Sequence, residues 1–249
     1  MILRTLFSQW CFIAFAAIMV STLAYAGTQA EADDASGTEV QDVDPELVAA
    51  ALKSSPEGLG VSFLVNRYMI KLADLATEGI QIQTPEGVID KRSATVKKRE
   101  SERRLHAYRQ AILQRGFDDL SGVYRIASVT PSCADSRSLW LSGAVEGIFE
   151  KFEFSQRSFE FALSITPTIE SGIKDDIGTL DLEGVVVESN LVIEDPINSD
   201  YFLEGESLGE RIEIRPRLDV LKGWPSWASP PKKRDLKNCK LVLERHESE

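Results

Sequence analysis

Two histidines, His106 and His246, are the entire imidazole supply of this 249-residue chain. His106 lies in RRLHAYRQ and His246 in the final RHESE, and neither has a partner at a metal-ligand spacing. The sequence holds no H-E-x-x-H, no paired C-x-x-C, no Walker loop and no G-x-S-x-G. A Ser-His-Asp triad is defined by geometry rather than by order, but histidines set apart in this way read better as surface side chains. Carboxylates are plentiful, and Asp175, Asp176, Asp181 and Glu183 crowd the stretch KDDIGTLDLEG. Acid pairs serve as general acid and base, or as oxygen ligands for calcium. Their spacing does not follow an EF-hand loop, and a solvated turn in an acidic protein carries the same residues. The expectation is a protein without metal, without cofactor and without catalysis, with an acid-residue hydrolase ranked last.

Cysteine is the other reactive type, and there are three: Cys11, Cys133 and Cys239. Cys11 falls in the apolar run of MILRTLFSQWCFIAFAAIMVSTLAYA, which has one basic residue, then an apolar core, then small residues ending in Ala24-Tyr25-Ala26. That order predicts a secretory signal peptide over 1–26, cleaved after Ala26. The run is short for a membrane span, so no stable membrane insertion is expected after cleavage. Two cysteines remain in a chain destined for the periplasm or the medium. An exported protein with an even count favours a Cys133–Cys239 disulfide over two buried thiols. The bridge would join the end of the strand DLSGVYRIASV to the start of CKLVLER. Closing so long a loop is worth at most about 4–5 kcal/mol by chain entropy.

Rigid aromatics are the third feature. In LKGWPSWASPPKKR, Trp224 and Trp227 stand between Gly223, Pro225 and Pro230-Pro231. Stiffly held tryptophans lose little entropy on contact with a ligand or partner; packing over an open end of the β-structure is the competing reading. With Tyr124 and Trp140, on two of the strands expected below, they form the candidate ligand- or partner-contacting set.

These residues need a scaffold, and the chain divides into recognisable parts. GTQAEADDASGTEVQDV, residues 27–43, is small and acidic and predicts a disordered N-terminus. Residues 44–117 read as a helical segment. DPELVAAALKSS has a capping Asp44 and Pro45 at the first helical position. It closes on Pro56, Gly58 and Gly60. A second helix then places Val61, Leu64, Val65, Tyr68, Met69, Leu72, Leu75 and Ala76 on one stripe, with Asn66, Arg67, Lys71 and Asp74 on the other side. IQIQTPEGVID reads as a small hairpin. The helix over 91–115 is basic in its first half and presents Leu105, Tyr108 and Ile112 in its second.

From Asp118 glycines and alternating runs replace helical periodicity. The strand candidates are SGVYRIASV, SLWLSG, GIFEKFEFS, RSFEFALSI, TLDLEGVVVE, LVIED, GERIEIRPRL and CKLVLER, while Glu204 to Gly209 reads as an acidic glycine loop. The fold class expected is α+β: a helical segment followed by an antiparallel β-domain over 118–249, with seven or eight strands and one disulfide, a barrel rather than a sandwich. Gly122-Val123-Tyr124 in a first strand, with Ser199-Asp200-Tyr201 downstream, resembles the short motifs of the lipocalins. Six residues of 249 carry that resemblance. Tyr124 stands where the family's tryptophan is usual, Ser199 stands where threonine is usual, and the helices precede the strands rather than follow them. The resemblance implies a small barrel that holds an apolar ligand.

The formal net charge of −11 argues against nucleic acid and against a generally anionic membrane surface as partners. The basic run KRSATVKKRESERR departs from that balance. Contact with anionic lipid headgroups, a polyanion or the acidic β-domain is weighed there against a solvated helix face paired through Glu100 and Glu102. The function expected is non-enzymatic binding of a small apolar or amphipathic ligand, or of an envelope protein. An envelope assembly factor docking through its helical segment is the alternative.

Overall fold

The computed structural model describes residues 43–84, 87–135, 139–168, 179–194, 202–217 and 238–246. The alternating runs after Asp118 form eight strands: β3 (Gly122–Val129), β4 (Phe149–Arg157), β5 (Glu160–Pro167), β6 (Leu180–Val187), β7 (Asn190–Glu194), β8 (Phe202–Ser207), β9 (Arg211–Arg217) and β10 (Leu241–Arg245). Each pairs antiparallel with the next, and β10 pairs back on β3, closing the barrel. Period-two alternation decides what goes inside. Tyr124, Phe152, Phe154, Phe161, Leu163 and Ile165 belong to one interior core, while the alternate residues face out. An eight-stranded barrel is just wide enough for side chains to fill. Here Phe161 stands opposite Gly184 across the β5–β6 ladder. A Cβ on Gly184 would meet the Phe161 ring at 2.4 Å and the Val192 carbonyl at 2.6 Å.

Two expected boundaries move. SLWLSG is a helix, α4 (Leu139–Val145), not a strand. Leu141, Ala144 and Val145 pack on the barrel core at helical spacing, which overrides a short alternation. The acidic glycine loop after Glu204 is instead most of β8. Leu203 and Ser207 are buried on it, and Gly205 fits where a Cβ would lie 2.7 Å from the Glu213 carbonyl. The two exchanges leave the strand number at eight.

Before the barrel come α1 (Pro45–Ala51), α2 (Pro56–Thr77), the ribbon β1 (Ile82–Thr84) and β2 (Gly87–Ile89), and α3 (Lys91–Arg115). Asp44, Ser55 and Asp90 cap the three helices, and Asp90 and Ser93 exchange hydrogen bonds reciprocally. Pro56 and Gly58 therefore form the first turn of α2 rather than a break, and Gly60 lies inside it. A Cβ on Gly60 would stand 2.9 Å from Val192 and 3.2 Å from Val185, so the glycine lets α2 close on the barrel wall. Phe63 meets Phe159 edge-on at 5.1 Å, and a second core joins Leu59, Phe63 and Ile112 to Val185, Val187 and Val192. The run Val185–Val187 is buried on both faces for that reason. The expected stripe of α2 is modified accordingly: Val65 and Leu75 are exposed, and Phe63 and Ala73 are buried in their place.

The strand order gives the barrel two unlike ends. At one, Ser158-Phe159, Glu188-Ser189 and Leu208–Glu210 are tight turns, with positive φ at Ser158, Glu188 and Gly209. At the other leave the long connections 130–148, 168–179, 195–201 and 218–240. Cys133 and Cys239 form the expected disulfide at this loop end, with Cα atoms 4.6 Å apart and 106 residues between them in sequence. Helix α2 runs toward the same end. Gly60 lies on Val185, Arg67 reaches Glu183, and Lys71 shares a cleft with Asp181.

Gly184→Ala is expected to lower the unfolding free energy by roughly 1–3 kcal/mol in urea titration, because neither the ring nor the carbonyl beneath has room to give. Reduction of the disulfide is expected to cost about 2–4 kcal/mol by the same titration.

Candidate functional site

The tight-turn end is sealed from within. The connection from α3 to β3 turns across it: Asp118 donates to the Glu188 carbonyl at 2.8 Å, Glu188 donates to the Gly116 carbonyl at 2.8 Å, and Leu120 drops into the barrel core. The Gln156 side chain holds that crossing from both sides, accepting from Leu120 N at 2.7 Å and donating to the Asp118 carbonyl at 2.9 Å. Above Leu120 lies Tyr124, fully buried, its ring 5.2 Å from Phe154. Arg245, at the end of β10, donates to the Tyr124 hydroxyl from Nη2 at 2.8 Å and from Nε at 3.2 Å. It also reaches the Asp119 carbonyl at 3.3 Å and Glu210 at 3.5 Å. Burial pushes the Tyr124 phenol above its ordinary value, and the Arg245 guanidinium opposes that shift in part. Asp119 is held below the usual carboxylate range, chiefly by the Ser121 backbone N–H. Tyr124 is thus a closing residue here, with its hydroxyl already engaged.

The loop end is built differently. The 3-10 turn Pro131–Asp135 carries Cys133, and Thr130 Oγ1 ties it to β10 by accepting from Lys240 N at 2.8 Å and donating to the Asn238 carbonyl at 2.8 Å. Helix α4 lies against this end, and Gly143 lets the Phe149 ring approach where a Cβ would stand 2.5 Å away. The rim keeps apolar surface. Val129, Val145, Ile148 and Leu180, all at this end, are partly buried against the barrel core. The connection bearing Trp224 and Trp227 leaves β9 and enters β10 here. Trp224 and Trp227 lie outside the described residues, as do Ser199, Asp200, Tyr201, Asp175 and Asp176. Trp140 is placed on α4 at this end by its backbone. Three members of the candidate aromatic set therefore belong to segments rooted at the loop end, whereas Tyr124 lies toward the tight-turn end of β3.

Among the described residues, the acidic candidates Asp181 and Glu183 are taken up by contacts on the outer face of the barrel. Asp181 accepts from the Ser164 hydroxyl on the outer barrel face, and Glu183 pairs with Arg67 at 2.9 Å. Arg67 also reaches Glu194 at 3.2 Å and Glu160 at 3.4 Å, so one guanidinium fastens α2 to three adjacent strands. His106 is exposed on α3; His246 is exposed just past β10, where its backbone donates to the Val123 carbonyl. Among the described residues, no group of three histidine, cysteine or carboxylate side chains is placed to hold a metal ion. The sequence reading missed Arg67 and Arg245. The only local signal for Arg67 was a cation in a largely apolar helix, since its partners lie up to 127 residues away. No protein-family model matches the chain, and no curated protein matches it in sequence.

Tyr124→Phe is expected to cost about 1 kcal/mol near neutral pH through the lost hydrogen bond. A phenol whose folded pKa is raised contributes stability that is complete below its unfolded value of about 10 and is lost as pH rises through the folded value. The gap between wild type and Tyr124→Phe should therefore narrow above about pH 10, measured by urea unfolding at a series of pH values.

Proposed function

We propose that this is a non-enzymatic binding protein, exported to the periplasm or the medium, that takes a small apolar or amphipathic ligand at the loop end of its barrel. The observation that carries the reading is the asymmetry of the two ends. One is sealed by Leu120, Tyr124 and Arg245, while the long connections leave from the other, where Val129, Val145, Ile148 and Leu180 are only partly buried. Barrel mouths framed by loops on a rigid scaffold are where such ligands bind. The aromatic rings fill the sealed half, so the ligand sits at the rim and not deep inside. Trp224, Trp227 and Trp140 are the side chains assigned to it. An apolar segment of a protein partner would use the same rim.

The alternative, an envelope assembly factor docking through its helices, draws on the far end of α2 and the ribbon, where Leu75, Ile80 and Val88 are exposed. Native mass spectrometry of protein purified gently from its export compartment separates these readings. The binding reading predicts a small mass that is released on activation, and a Trp224→Ala/Trp227→Ala variant that folds normally but retains it about tenfold less. A co-purified protein chain that survives this variant and is lost on Leu75→Asp or Ile80→Asp would favour the assembly reading. An empty monomer would contradict both.

A further inference from the structure

The hairpin of α2 and α3 extends past the loop end of the barrel. Beyond Lys71 it no longer rests on barrel strands: Met69, Leu72, Ala73, Ala76 and Ala94 make a small core with Ile89 of the ribbon, without a barrel residue in it. Lys98 pairs with Asp74 at 2.6 Å and sets the two helices in register there, whereas α3 meets the barrel through Arg109 and Arg115. At about 1.5 Å per residue, Arg99 lies roughly 15 Å along the axis from Arg109, and Arg92 roughly 25 Å.

This arm differs in charge from the rest of the molecule. Over Lys91–Arg104, the part of α3 that belongs to the arm, seven Lys and Arg residues stand against Glu100 and Glu102, in a chain whose net charge is −11. Arg92, Val96, Arg99 and Arg103 recur at helical spacing on one exposed side. Lys91, Arg99 and Arg103 have no ion-pair partner among the described residues; of the arm's other acids, Asp74 is engaged by Lys98 and Asp90 by the helix cap, while Glu78 is exposed at the end of α2. The same end exposes single apolar side chains on separate elements: Ile80 by 51%, Val88 by 50% and Val96 by 68%.

We infer that this arm docks the protein reversibly on an anionic lipid surface, with the loop end of the barrel facing the bilayer. Charge supplies the first argument. Screening limits the reach of exposed charges to about 8–10 Å, so the lipid meets the arm's cations and not the acids of the barrel behind it. The apolar residues supply the second. A protein partner needs a contiguous complementary face, whereas the acyl boundary accepts separate side chains such as Ile80, Val88 and Val96 wherever they project. Basic residues flanking isolated apolar ones are the pattern that electrostatic and interfacial attraction reward together. The inference rests on the arm and goes beyond the ligand reading: it gives an apolar ligand at the rim a route to and from the membrane.

Sedimentation of the mature protein with vesicles of equal parts phosphatidylglycerol and phosphatidylcholine, and with vesicles of phosphatidylcholine alone, tests it. Binding is expected to the first and not the second, and to be released at about 0.5 M salt. Arg99→Glu/Arg103→Glu should weaken it about tenfold or more, and Ile80→Asp should weaken it with little change in the salt dependence. If either variant fails to fold, the wild-type salt and lipid dependence still decides the matter. No binding, equal binding to both vesicles, or binding unchanged by Arg99→Glu/Arg103→Glu would overturn the inference. So would capture of a soluble acidic protein by the same arginines without vesicle binding. Vesicle binding by a protein that carries no ligand would leave the docking standing and remove the ligand reading.

Discussion

Everything in this molecule depends on the pairing of β3 with β10. Those strands are more than a hundred residues apart, and their ladder turns a meander with two open edges into a barrel with none. An open edge would leave a row of backbone donors and acceptors without partners, which is both costly and a template for aggregation. The closure is pinned at its two extremities by unlike chemistry. At one end the Cys133–Cys239 bridge limits how far the strands part even in the unfolded chain. At the other, Arg245 on β10 bonds the Tyr124 hydroxyl on β3, and neither group is left unsatisfied. The disulfide sits beside the long connections and the arginine beside the tight turns, so the seam also separates the adaptable end from the sealed one.

The helices complete this barrel by covering what alternation leaves outside. β6 and β7 turn Val185, Val187 and Val192 outward, and apolar surface of that kind is worth roughly 25 cal/mol for each Å² removed from water. Helix α2 takes that role because Gly60 lets its backbone come close and Phe63 follows it onto Phe159. Arg67 then binds carboxylates on three neighbouring strands, a contact whose value lies as much in fixing position as in stability, since its partners remain partly hydrated. Having spent its first half on the barrel, α2 carries on as one wall of a separate hairpin. The strand order puts the loop end and the apolar rim at one end of the barrel, and the direction of α2 along β6 brings the basic arm to that same end.

Much of this was legible from local pattern. Phe161, Leu163 and Ile165 announced their strand by alternation, although Phe159, expected beside them, sits in the turn before it and packs on α2; Asp44-Pro45 announced a helix start, and the cysteine count with an expected export signal selected the bridge. The errors have a common origin in tertiary packing. Residues 139–145 became helical because Leu141 and Ala144 were needed over the end of the barrel, and FLEGES became a strand because the wall at Gly205 has room only for glycine. Gly60 reads as a helix breaker until the valines it must approach are known. Of the candidate site, the apolar rim was not legible at all. Val129, Val145, Ile148 and Leu180 are scattered in sequence, and each packs against the barrel core from a different place at the loop end: the end of β3, the end of α4, the residue before β4 and the start of β6. Tyr124 was read as a ligand- or partner-contacting residue; it stands buried in the barrel with its hydroxyl on Arg245, which lies 121 residues on, beyond any local signal.

The measurement that tests closure most directly is native-state hydrogen exchange, followed residue by residue in the oxidised protein. With β3 and β10 forming the seam on which the barrel depends, the amides paired between Tyr124–Val129 and Leu241–Arg245 should exchange only through global unfolding, as slowly as those of β6 and β7. Exchange at that seam well ahead of β6 and β7 would mean that the barrel opens there in its native state. The division into a sealed end and a binding end would then have no foundation.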